Sequence, residues 1–165
     1  MKSMKVLFVC TGNICRSPTA EGIFRQQVLD AGLSDKILTD GCGIQGWHVG
    51  SPPDSRSVEA AMRRGYNLAD LRARKLKISD YDEFDLLLAM DHGHFDSLQD
   101  YAPSGKANKI RMFLEPVQEQ FNQIEVPDPY YGGADGFELV LDMVEAASAA
   151  WLGKIKNATS EDRFE

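Results

Sequence analysis

Residues 4–18 read MKVLFVCTGNICRSP, and the order of residue types in this stretch sets the architecture. Lys5 to Cys10 is short, apolar and β-branched, the pattern of a strand buried in a parallel sheet. Ser17 is predicted to cap a helix, and Pro18 to occupy its first turn, where a missing N–H costs nothing. Glu21 falls near the positive end of that helix. Ala20, Ile23, Val28, Leu29 and Ala31 are assigned to one packed face. Residues 10–16 therefore join the carboxyl end of a strand to the amino end of a helix. Successive amides and the helix dipole favour an anion there. Gly12 and Asn13 are the residues expected to take left-handed backbone angles.

Outward from this unit, strand and helix patterns alternate. Strands are predicted at 37–41, 85–90 and 109–112. Helices are predicted at 17–31, 55–64, 91–98 and from Asp135 or Gly136 to near Lys156. A Gly- and Pro-rich loop spans 42–53. In the last helix Phe137, Val140, Leu141, Val144, Trp151 and Ile155 recur at helical spacing, which makes Trp151 a core residue. Alternating strands and helices predict an α/β fold: one four-stranded parallel sheet with helices on both faces. Right-handed crossovers bring Cys10, Cys42 and Asp91 to the same carboxyl edge. Asp91 is expected either to orient Arg16 or to cap the helix that follows it.

The 165 residues fit one domain, 1–165, with a polar tail after about residue 157. A net charge of −7 excludes a nucleic-acid partner. No apolar run approaches the ~20 residues of a membrane span, and the start MKSMKV carries no signal peptide, so a cytoplasmic protein is expected. Cys10, Cys15 and Cys42 form neither a disulfide framework nor a zinc pattern. The histidines, His48, His92 and His94, show no helix-face metal pair. Arg56, Arg63, Arg64, Arg72, Arg74, Lys75 and Lys77 read as a solvated helical face, with a basic rim as the alternative.

The reactive form of a thiol is the thiolate. A helix N-terminus, Arg16 and a hydroxyl from Ser17 would all favour that anion at Cys10. Arg16 is planar and permanently charged, and suits bidentate grip of two phosphoryl oxygens. In Val126-Pro127-Asp128-Pro129-Tyr130-Tyr131, two prolines stiffen the backbone around Asp128. That carboxyl could protonate a leaving group, although Pro-Asp-Pro alone reads equally well as a turn.

The run V-C-x-G-N-x-C-R-S-P resembles the signature of low-molecular-weight protein tyrosine phosphatases, over about Lys5 to Ile155. The resemblance implies a flavodoxin-like strand order, 2-1-3-4. It makes Cys10 the nucleophile, Arg16 the phosphate clamp and Asp128, in an acid loop D-P-Y-Y, the proton source. Thr11, Gly12, Asn13, Ile14, Cys15 and Ser17 would then form the phosphate loop. Asn13 and Ser17 would organise it, while Trp47, Tyr130 and Tyr131 wall the cleft. Tyrosine-phosphorylated proteins and phosphate or other oxyanions are the implied partners, with no cofactor or metal. A monomer is expected. Cys15 reads as a redox partner for Cys10, or as a small residue packed under the loop.

The chain also departs from the family pattern. A supporting Ser and His of many relatives are replaced by Gly41 and Leu71, so support under Asn13 and Ser17 must come from elsewhere, with water as the expected source. A less rigid loop and a less activated Cys10 are expected. A thioredoxin-coupled arsenate reductase shares the loop, but residues 70–100 hold no cysteine for a relay. A catalytically silent phosphoprotein-binding module is disfavoured by the intact Cys10, Arg16 and Asp128.

Overall fold

The computed structural model describes residues 3–131 and 133–158, without the side chains of Tyr131 and Ala134. Apart from Ala158, the predicted polar tail lies outside the described residues. Four strands form the sheet: β1 (Met4–Cys10), β2 (Ile37–Gly43), β3 (Leu86–Ala89) and β4 (Ile110–Met112). They lie in the order β2-β1-β3-β4, all neighbours parallel, with Val9 opposite both Cys42 and Ala89. The predicted order is therefore the observed one.

The helices are α1 (Arg16–Asp30), α2 (Ser55–Arg63), α3 (Asp80–Glu83), α4 (His92–Tyr101), α5 (Gln118–Phe121) and α6 (Gly133–Asn157). The short α3 and α5 were not legible as periodicity, because one turn is too short to show a period. Strand alternation sorts the core onto two faces. Val6, Phe8 and Cys10 face the layer containing Ile23, Phe24, Val144 and Trp151. Leu7, Val9 and Cys42 face Tyr81, Leu98 and Met112. Phe8 packs on Phe24 and Phe113, with ring centroids 5.5 and 5.7 Å away.

Every apolar position assigned to the α6 stripe is buried, Trp151 included. Its indole N–H donates to the Phe113 carbonyl at 2.8 Å. Two assignments in α1 fail: Leu29 is 57% exposed, and Ala31 is exposed just past the helix end. The amino half of α1 is buried around its whole circumference, from Arg16 to Phe24, so a single-stripe reading misses its surroundings. The basic segment is largely committed to ion pairs. Arg64 is gripped by Glu138, Asp142 and Glu145, and Arg74 by Asp40 and Asp80.

Candidate active site

Cys10 ends β1 and is 3% exposed. The loop after it reverses at Asn13, which adopts φ 59°. Gly12 does not take a positive φ. It is small for another reason: a Cβ there would sit 2.9 Å from the His48 ring. Ser17 does not cap α1, which starts one residue earlier, with Cys15 at the cap position. Its hydroxyl is instead committed to the loop. Asn13 Nδ2 donates to Ser17 Oγ at 2.7 Å, and Ser17 Oγ lies 3.0 Å from Cys10 Sγ. Because the serine oxygen already accepts from the amide, its own proton is free to point at the sulfur. The amide is oriented in turn by Arg74 N–H, which donates to Asn13 Oδ1 at 3.0 Å.

That backbone donor is protein support where water was expected. The space opened by Gly41 is used as well. A Cβ at Gly41 would fall 2.8 Å from Glu21 Oε1 and 2.9 Å from Asn13 Nδ2. Glu21, near the positive end of α1 as expected, is buried beside Gly41 and Asn13. Burial, then the neighbouring Asp40 charge, pushes its carboxyl up to about 7.

Arg16 is 8% exposed. Its Nη1 donates to Asp91 Oδ2 at 2.8 Å and to the Val126 carbonyl at 3.1 Å. Asp91 fulfils both expected roles, since its Oδ1 also caps α4 by accepting His94 N–H at 2.9 Å. Burial opposes its charge, but the His94 amide and Arg16 outweigh it, and the carboxyl lies below its ordinary range.

Cys10, Thr11, Gly12, Ile14, Cys15, Arg16, Trp47, His48, Asp128 and Tyr130 line one cleft of about 220 Å³. Asp128 thus faces the same cavity as the sulfur, and accepts Tyr130 N–H at 3.0 Å. Trp47 is 72% exposed on the rim. The Tyr130 hydroxyl donates to Asp54 Oδ2 at 2.7 Å, and the Arg56 guanidinium lies 4.6 Å from its ring centroid. Tyr131 continues the 3-10 turn Pro129–Tyr131, and its side chain lies outside the described residues. Cys15 is 7% exposed, with its sulfur 3.1 Å from Ser57 Oγ. Burial pushes its thiol up to about 12, so it is neutral at physiological pH. Cys42 shares the sheet edge but faces the opposite layer from Cys10, and its thiol is also raised by burial.

Sequence reasoning missed Asp54, Ser57, His48, His94 and Glu21 as neighbours of the loop. An Asp three residues before a His at a strand end was the one available signal, since that spacing lets both lie in a single first helical turn. A larger groove of about 690 Å³ lies along β2, between Arg25, Leu29, Leu38 and Phe84, and none of its lining residues is a cysteine.

Fold and loop together define the class: a parallel α/β protein with a cysteine-headed loop and a buried arginine at the carboxyl edge of its sheet. Residues 5–161 match the family model for the low molecular weight phosphotyrosine protein phosphatases, and the chain belongs to that family. It is 44% identical over 155 residues to the low molecular weight protein-tyrosine-phosphatase of Streptomyces coelicolor, covering 92% of this chain and 93% of that one. The crystal structure of YfkJ from Bacillus subtilis superposes with a TM-score of 0.88 at 38% identity, covering 94% of this chain and 96% of that one. A protein tyrosine phosphatase from Entamoeba histolytica, in a product-state mimic, gives a TM-score of 0.90 at 35% identity, covering 97% and 100%. This chain is accordingly an enzyme, a protein-tyrosine phosphatase of the low-molecular-weight class.

Proposed function

We propose that the chain hydrolyses protein phosphotyrosine, and small aryl phosphates, through a cysteinyl-phosphate intermediate. Cys10 Sγ attacks phosphorus from the cleft floor, and the bond from phosphorus to the phenolic oxygen breaks. Asp128 gives its proton to the leaving phenolate. The same carboxylate then takes a proton from the water that attacks the cysteinyl phosphate, releasing inorganic phosphate and the thiolate. Arg16 and the loop amides hold the equatorial oxygens, where charge accumulates in the transition state. Trp47 and Tyr130 flank the aryl ring.

The observation that carries this reading is the shared cleft: the Ser17-bonded sulfur, the Arg16 guanidinium, the Asp128 carboxyl and two aromatics line one cavity. A related chain from Vibrio vulnificus, Wzb, 27% identical with a TM-score of 0.79, was solved with benzylphosphonate. An aryl ring one carbon from a phosphonate is the shape this cleft would accept. A relay of thiols is not supported, because Cys42 faces the other layer.

The test is p-nitrophenyl phosphate hydrolysis in EDTA. Cys10→Ser abolishes turnover, and Asp128→Asn slows it by about 10²–10⁴-fold, the usual worth of a general acid. Arsenate reduction by the wild type without phosphatase activity would refute the proposal. Cys15 is proposed as the thiol that closes on oxidised Cys10. Being neutral and bound to Ser57, it must be deprotonated first.

A further inference from the structure

The anion loop is held from two sides. On the α1 side, Asn13, Ser17 and the Arg74 amide form one chain of hydrogen bonds. On the other side a histidine reaches in from a separate element. His94, in the first turn of α4 and 4% exposed, places Nε2 2.8 Å from Thr11 Oγ1. Thr11 is the residue next to Cys10. His94 Nδ1 lies 3.1 Å from Asp91 Oδ1, and Asp91 Oδ2 holds Arg16 Nη1 at 2.8 Å.

We infer that His94 is a positioning residue that couples Thr11, at the start of the anion loop, to Asp91 and hence to the Arg16 guanidinium, so that both halves of the cradle keep one geometry. The inference rests on the phosphatase reading for its kinetic consequence, but its structural content does not.

The chemistry of the ring fixes the direction of the bonds. Burial, against a smaller opposing effect of Asp91, holds His94 down to about 4, so the ring is neutral across the physiological range. A neutral imidazole has one donor and one acceptor nitrogen. Nδ1 faces the Asp91 carboxylate and, among the described residues, has no well-directed partner other than that close contact. The proton belongs on Nδ1, where the carboxylate attracts it. Nε2 is then the acceptor, and the Thr11 hydroxyl donates to it. Three elements are joined in this way: the end of β1 through Thr11, the start of α1 through Arg16, and the start of α4 through Asp91 and His94. A phosphoryl transition state needs sulfur, amides and guanidinium at fixed separations, and a misplacement near 1 Å costs about 10²-fold.

Three variants test the coupling. His94→Phe keeps the ring volume without nitrogens, Thr11→Val keeps shape without the hydroxyl, and His94→Gln returns a polar atom near the Nε2 position. With p-nitrophenyl phosphate, His94→Phe and Thr11→Val should each lower kcat by about tenfold with KM changed less than about twofold. The double variant should be no worse than either single one, and His94→Gln should recover most of the loss. In ¹⁵N spectra the slowed Arg16 guanidinium N–H signals should broaden away in His94→Phe. Wild-type kcat in either single variant, or losses that multiply in the double variant, would overturn the inference. Should His94→Phe fail to melt as a folded protein, Thr11→Val and His94→Gln decide the matter. A wild type that turns over no phosphate ester would refute the phosphatase reading alone. The Arg16 signals would then judge the coupling by themselves, and their persistence in His94→Phe would end it.

Discussion

Glu21 makes stability depend on pH in a direction opposite to most carboxylates. Its side chain is buried under the anion loop beside Gly41 and Asn13. Burial, Asp40 and Asp70 raise it, while Arg25 and Arg74 lower it, and it settles at about 7 against an ordinary 4.5. The folded protein therefore binds the Glu21 proton more tightly than the unfolded chain does. The stabilisation is complete below about pH 4.5 and is lost as pH rises through about 7. One pH unit of difference is about 1.4 kcal/mol, so ionising Glu21 in the folded state costs about 3 kcal/mol. Glu21→Gln keeps the shape and removes the titration. Urea unfolding of both proteins from pH 4.5 to 8.5 should show the variant gaining about 3 kcal/mol on the wild type across that window. For a chain of this length the gain is about 6–12 °C in Tm at pH 8. All other titrating groups are common to both proteins and cancel in the difference. A difference that stays flat with pH, within about 0.5 kcal/mol, would refute the claim that Glu21 is buried and protonated near neutrality.

Ser17→Ala removes the hydroxyl that points at Cys10 Sγ. A hydrogen bond to a charged group is worth about 1.5–3 kcal/mol, so kcat for p-nitrophenyl phosphate should fall by about 10–100-fold. Tm should also drop by about 2–12 °C, because buried Asn13 Nδ2 loses its acceptor. Mild peroxide followed by mass mapping should find a bridge between Cys10 and Cys15. Sulfinic acid at Cys10 with no such bridge would reject Cys15 as its partner. Trp151→Ala leaves a cavity between the sheet and α6 and loses the bond to the Phe113 carbonyl. It should destabilise by about 3–5 kcal/mol in urea titrations, and a loss under about 1 kcal/mol would contradict that packing.

The strand, loop and helix of residues 4–18 were legible because each step is local: a buried run, a reversal, a proline in the first turn. The strand order followed from the family resemblance, and the two-face layering from alternating elements. Local pattern also misassigned residues whose roles are set by distant neighbours. Ser17 has the composition of a cap, yet Asn13 and the Cys10 sulfur claim its hydroxyl. Leu29 fits the apolar spacing of α1, yet it lines an open groove beside β2 and stays exposed. Gly12 looked like a left-handed residue, and its smallness serves the His48 ring instead.

By itself, the order of residues determined that a thiol would end a buried strand, that a tight loop would follow, and that a helix would begin beside an arginine. Those features depend on neighbours a few positions apart, and hydrophobic periodicity and backbone preference encode them directly. Only the folded chain decided what stands behind the loop: Arg74 bonding Asn13, Asp91 and His94 gripping Arg16 and Thr11, Glu21 filling the gap at Gly41. These contacts join residues 20 to 83 positions apart. They exist because parallel crossovers bring every strand's carboxyl end to one edge, and no local pattern records which side chains meet there.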